Sequence, residues 1–263
     1  MRTRSMLLAA AAVALLFCSD VRAEEWTKHW SVAGKPELRV WTGDASVMIE
    51  AGAGSEISAV VRTRGVSIGR SGIQITDHQD GNAVDLEIKE PPMHFSFGNH
   101  SVEVRIQVPK ELTATIHTGD GSVKLHGLHG SMRVETGDGS IEGDALDGGL
   151  ESRSGDGSLH LRGRFDNLRV RTSDGSVEVQ AAAGSHLHSD WRVETGDGSV
   201  RLTVPRDLAA DVQLATGDGS IHVDLPLTIE GTKTQHELRG KLNGGGPSLD
   251  VHTGDGSISL GSI

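Results

Sequence analysis

The sequence predicts an all-β protein: a single-stranded β-solenoid, a β-helix-like stack of coils of about 18 residues, with an aromatic cap at its N-terminal end. Three observations predict it. The phrase Thr-Gly-Asp-Gly-Ser, or a close variant, begins at Thr42, Thr118, Thr136, Ser154, Thr172, Thr195, Thr216 and Thr253, and the starts from Thr118 to Thr172 are evenly spaced. Apolar and polar residues alternate strictly on both sides of the phrase, as in Met132-Arg133-Val134-Glu135 before it and Val177-Glu178-Val179 after it. That period of two marks strands with one buried face, and no helical period with caps competes with it. A unit of strand, Gly-Asp-Gly turn and strand has one apolar face that it cannot cover by itself. Stacking such units in parallel buries a continuous column.

The chain divides into a signal peptide (residues 1–23), an N-terminal cap with degenerate coils (24–110) and a regular repeat (111–263). Arg2 and Arg4 precede the apolar run Met6 to Phe17, and Val21-Arg22-Ala23 offers a cleavage site, the pattern of an export signal. The run is too short to span a membrane. Phe17 stands where a lipoprotein signal needs a small residue before Cys18. Cleavage would remove the one Cys and make the formal charge of −11 more negative by two, since three Arg and one Asp leave. The expectation is therefore an exported protein, periplasmic, cell-surface or secreted, without disulfides or a membrane span. Its acidity argues against nucleic acid as a partner.

Within 24–110, Trp26, Trp30 and Trp41 suit either a sugar-stacking platform or a hydrophobic lid, and the lid is the expectation for Trp26 to Val47. Ala33-Gly34-Lys35-Pro36 reads as a turn, and Pro91 to Gly98 as a loop leaving the stack. The interval from Thr42 to Thr118 comes close to four periods. From Thr118 onward the coils run regularly, with the larger spacing between Thr172 and Thr195 marking an insertion near Ser185 to Trp191. The interval from Thr216 to Thr253 is about two periods, as if a copy had decayed around Gly244-Gly245-Gly246, with an excursion across Thr228 to Asn243.

In-register stacking makes a test: residues one period apart should alternate in charge. The outward column Lys124, Glu142, His160, Glu178, Arg201, His222, Ser259 mostly does so. So does His117, Glu135, Arg153, Arg171, Glu194, Ala215, His252, apart from Arg153 beside Arg171. The segment Gly254 to Ile263 carries one charge and ends in an apolar strand. Either a local loop covers it, or Ile258, Leu260 and Ile263 form an interaction edge for self-association or strand addition.

For chemistry, Asp120, Asp138, Asp156, Asp174, Asp197, Asp218 and Asp255 would line one corner and are the candidate Ca²⁺ ligands. The competing reading gives Gly119 and Gly121 a positive φ and has each Asp bond its own turn's backbone. Among 13 His, His186 and His188 lie two apart on one strand face, and His126 and His129 make a second pair. A transition metal needs three or four convergent ligands, so with no Cys partner no metal site or other cofactor is expected. No nucleophile elbow, phosphate loop or single carboxylate pair stands out.

Leu38-Arg39-Val40 leading into Thr42-Gly43-Asp44, Val104 to Lys110 ahead of Thr118, and Leu242-Asn243-Gly244-Gly245-Gly246 ahead of Thr253 to Ile258 together resemble the bacterial β-strand-repeat family labelled "putative adhesin". The resemblance covers nearly all of the chain after residue 23; TGDAS at Thr42 and the insertion near Ser185 depart from the pattern. It implies an envelope or secreted β-repeat protein with no catalytic residues to carry over. The expected role is a non-enzymatic adhesin or binding module contacting envelope polysaccharide or protein. The alternative is a carbohydrate-active β-helix enzyme, a polysaccharide lyase or hydrolase, which would need carboxylates, Arg and aromatics gathered in one groove.

Overall fold

The alternating segments on both sides of each phrase become strands; His186 to His188, expected on one strand face, lies outside any strand. The computed structural model describes residues 23–90, 100–230 and 234–263. The signal segment up to residue 22, the expected loop Pro91 to Gly98 and residues 231–233 of the expected excursion lie outside the described residues. In chain order the strands begin with β1 (Ala23–Ser31), β2 (Glu37–Thr42), β3 (Ser46–Gly52), β4 (Glu56–Arg64), β5 (Gln74–Asp80), β6 (Ala83–Lys89) and β7 (Ser101–Pro109). The body follows as β8 (Glu111–Thr118), β9 (Val123–His126), β10 (His129–Thr136), β11 (Ile141–Arg153), β12 (Leu159–Thr172) and β13 (Val177–Ala181). The remainder is β14 (Trp191–Thr195), β15 (Val200–Val204), β16 (Ala210–Thr216), β17 (Ile221–Val223), β18 (Thr228–Ile229), β19 (Glu237–Leu242), β20 (Ser248–Thr253) and β21 (Ile258–Ser262). No described residue is helical, and among the described residues no helix is long and apolar enough to cross a membrane.

Each rung has one strand before the phrase and one after it, and the two strands belong to different sheets. The first sheet runs β5–β6–β2–β8–β10–β11–β12–β14–β20–β16–β19–β18. The second runs β1–β4–β7–β3–β9–β11–β12–β13–β15–β21–β17. The long strands β11 and β12 belong to both sheets, one half in each, and their pairing shifts register at the bend between Gly143 and Leu146. The body is parallel, and equivalent positions of successive repeats face each other: Ile141 faces Leu159, and Leu159 faces Val177. At about 4.8 Å per strand the first sheet extends roughly 50 Å.

Inward positions line up in columns. One reads Leu86, Val40, Ile116, Val134, Ser152, Val170, Val193, Val251, Leu214 across successive rungs. All of these residues are buried. Each large aliphatic side chain so buried contributes about 1.5–3 kcal/mol, which no rung could collect alone.

Both ends depart from chain order, and this corrects three expectations. The rung β2–β3 does not open the stack; it lies between β6–β7 and β8–β9. The stretch from Thr42 to Thr118 therefore holds one further rung and antiparallel strands, not four periods. Likewise β20 sits between β14 and β16, and β21 between β15 and β17. Arg201 thus neighbours Ser259, and His222 comes after it, reversing the expected order of the column. The Gly244 region is no decayed copy. It is a turn, with Asn243, Gly244 and Gly245 all at positive φ, joining the antiparallel strand β19 to β20.

The apolar terminal strand is an interior strand. Ile258 and Leu260 are buried with partners on both sides, and the expected edge is occupied because β17 and β15 take its hydrogen bonds. Ile263, just beyond β21, is 54% exposed.

At the other end, β1 and β4 run antiparallel alongside β7. Trp30 is buried, and its Nε1–H donates to Asp77 Oδ2 on β5 at 3.1 Å, tying the two sheets together. Trp26 packs against it with ring centroids 6.2 Å apart. Trp41 takes no part, since it points outward from β2.

Candidate functional site

The repeated corner is the most conspicuous candidate, and its parts divide the work differently from the sequence expectation. The buried members are the Thr residues. Thr136 Oγ1 donates to the carbonyls of Gly119 and Gly121 on the preceding rung, each at 3.0 Å, and accepts the Gly139 N–H at 3.2 Å. Ser154, Thr172, Thr253 and Thr216 repeat this pattern. The ladder starts at Thr42, which neighbours Ile88 instead of another phrase, and its hydroxyl has no partner among the described residues. The Asp44 N–H there is capped by Glu90 Oε1 at 2.9 Å. Burial, ahead of the opposing hydrogen bond from Asp44, raises the Glu90 carboxyl above its usual range.

The glycines are not there for positive φ. Neither Gly119 nor Gly121 has it. They are there because the preceding rung passes too close for a Cβ: one on Gly139 would lie 2.1 Å from the Gly121 carbonyl oxygen. Asp120, Asp138, Asp156, Asp174, Asp197, Asp218 and Asp255 are all exposed, and among the described residues no side-chain hydrogen bond ties any of them to its own turn. They form a line along the corner and do not converge on a point.

The outward faces carry interleaved ion pairs between rungs. Lys124 Nζ meets Glu142 at 2.6 Å, Arg133 meets Glu151 at 2.7 Å and Arg171 meets Glu194 at 3.5 Å. The hydrogen bond from Lys124, followed by its charge, holds Glu142 below the usual carboxylate range. Arg153 does lie beside Arg171, and each turns to an acid instead: Glu151 for the first, Glu194 for the second. A groove on the outer face of the second sheet is lined by Met48, Lys124, His126, Glu142, Asp144 and Arg162, among others.

Residues 112–261 match the family model described as Toastrack DUF4097. The chain belongs to that family. This Toastrack chain has no match among curated proteins. Among solved structures it is similar to a "putative lipid binding protein" from Parabacteroides distasonis, at 15% identity over 90% of this chain and 96% of that one, TM-score 0.42. A "putative cell adhesion protein" from Clostridium sporogenes gives 13% identity over 92% and 100%, TM-score 0.38. A "putative adhesin" from Bacteroides fragilis gives 10% over 91% and 97%, TM-score 0.35.

The insertion after Thr172 builds a second site in this Toastrack chain. The segment is stitched to the bend of β12: Ala182 N–H to Gly163 O at 2.7 Å, His186 N–H to Phe165 O at 3.1 Å and His188 N–H to Asp166 O at 3.0 Å. Beneath it Leu187 is buried, and Phe165 meets Trp191 edge-on with centroids 6.4 Å apart. Alternation then turns His186 and His188 outward together. Their Nε2 atoms stand 3.1 Å apart, and each Nδ1 lies 3.7 Å from Asp166 Oδ1. Arg164 holds Asp166 through two hydrogen bonds, at 2.5 and 3.1 Å, and also pairs with Asp147. Burial opposes ionisation of Asp166, but the Arg164 hydrogen bond and charge, with the two imidazoles, outweigh it and keep the carboxyl below its usual range. Sequence reasoning found the two His and missed Asp166. The readable signal was a His-X-His inside the 23-residue interval that follows three intervals of 18, but its partner lies on β12, a full rung earlier in the chain.

Proposed function

We propose that this chain is an exported, non-enzymatic binding module of the cell envelope that contacts a repetitive envelope polysaccharide or protein along its outer strands. What supports this reading is the set of ion pairs between neighbouring rungs: outward positions recur about 4.8 Å apart, and Lys124–Glu142, Arg133–Glu151 and Arg171–Glu194 set acid against base across them. A surface with a short, regular repeat suits a partner with a repeat of its own. Many weak, equivalent contacts add through effective concentration without any one dominating. The groove around Lys124 and Glu142 is the face best suited to this, since its lining spans several rungs.

The test is incubation of the full exported chain with arrays of bacterial and plant polysaccharides and with envelope protein fractions. Saturable binding without turnover, weakened about tenfold or more by Lys124→Glu, is the expected result. Turnover of any polysaccharide would instead support the lyase or hydrolase reading, and failure to bind any array member would overturn the module reading.

A further inference from the structure

The geometry points to a divalent transition-metal site on the insertion, with His186 and His188 as the two nitrogen ligands and Asp166 as the residue that positions and charge-balances them. One ligand atom from each of the three lies within 4.8 Å of the others. The argument begins with protons. The Gly184 carbonyl can only accept, so the 3.0 Å contact to His186 Nδ1 places that ring's proton on Nδ1 and leaves its Nε2 with a bare lone pair. Opposite it, 3.1 Å away, is His188 Nε2.

If His188 carries its proton on Nδ1, that N–H faces Asp166, and two bare Nε2 atoms face each other. If it carries the proton on Nε2, the bare Nδ1 faces the Asp166 carboxylate. The first sets two lone pairs 3.1 Å apart; the second joins the rings by an Nε2–H···Nε2 hydrogen bond and leaves a bare Nδ1 3.7 Å from the carboxylate. A cation between the Nε2 atoms removes the conflict. The first arrangement also approaches a recurrent support for metal-bound imidazole: one His turns its other N–H toward a carboxylate 3.7 Å away, and the second donates to a backbone carbonyl at 3.0 Å.

Distance and charge agree. Two ligands about 2.0–2.1 Å from a tetrahedral Zn²⁺ stand roughly 3.3 Å apart, close to the 3.1 Å found. Arg164 offers one positive charge to two carboxylates, Asp147 and Asp166, so one negative charge beside the imidazoles is left unmatched. The platform is also built beforehand: backbone hydrogen bonds and the buried Leu187 fix the segment, so little ordering has to be done on binding. Two protein nitrogens fall short of the three or four ligands of a closed site, so the remaining coordination positions are open to water or to a partner's oxygen.

Titration calorimetry of the full chain with Zn²⁺ alone at pH 7.5 tests this. One equivalent per chain with micromolar affinity is expected. His186→Ala and His188→Ala should each weaken it at least about tenfold, and Asp166→Asn about tenfold through loss of orientation. Both His are exposed, so the variants should melt as the parent does, which circular dichroism checks. The double variant His126→Ala/His129→Ala should bind like the parent. Absence of binding below millimolar Zn²⁺, or binding indifferent to the His186 and His188 changes, would overturn the site.

Discussion

Thr136, Asp138 and Gly139 occupy one turn and differ in what their loss should cost. A Cβ at Gly139 would meet a backbone oxygen of the neighbouring rung, and backbone cannot step aside as a flexible side chain can. Thr136 serves two carbonyls and one N–H that are closed to water. Asp138 touches solvent. Urea titration should therefore rank Gly139→Ala as most damaging, Thr136→Val next at about 1–3 kcal/mol, and Asp138→Ala within about 0.5 kcal/mol of the parent. A large loss for Asp138→Ala would mean that the exposed carboxylates hold something the Thr ladder does not. The phrase was legible in the sequence as a corner, but its division of labour was not. Spacing shows that a Gly is needed and cannot distinguish a need for positive φ from a need for room.

In the column from Leu86 to Leu214 every inward residue is aliphatic except Ser152, which stands between Val134 and Val170. Its hydroxyl is fully buried and has no partner among the described residues. Burying such a group costs free energy that an apolar side chain would not spend. Ser152→Ala should stabilise the fold by about 1 kcal/mol and raise the thermal midpoint by roughly 2–4 °C. A drop on calorimetric melting would show that the hydroxyl is satisfied after all. Strand positions and facing were readable from alternation, because period two leaves little choice of face. The insertion was readable as extra length carrying a His-X-His. What makes it a site is Asp166 on β12, brought beneath His186 and His188 by stacking, and a contact between different rungs has no local signature.

For the whole molecule, the order of rungs matters more than their number. A stack in chain order would have ended on the terminal strand, and removing that strand would trim an edge. Here deletion of residues 257–263 opens a gap between β15 and β17 and bares the faces of Leu202 and Val223 that Leu260 covers. The deletion should lower the midpoint far more than loss of a single exposed strand, and trypsin should gain access near Arg206. Unchanged melting and proteolysis would contradict the interleaved order. Sequence spacing could not reveal that order, because in-register columns look equally good for several permutations: Arg201 can face His222 or Ser259 without conflict.

Interleaving also bears on how the molecule is made. As the polypeptide leaves the ribosome, β14 to β17 emerge before the residues that must slot between them, so their sheets wait with a vacancy that only β20 and β21 fill. The final insertion is a long-range closure of the kind that slows folding. Once seated, β20 and β21 are gripped on both sides, so neither can leave without giving up its pairing to two neighbours at once.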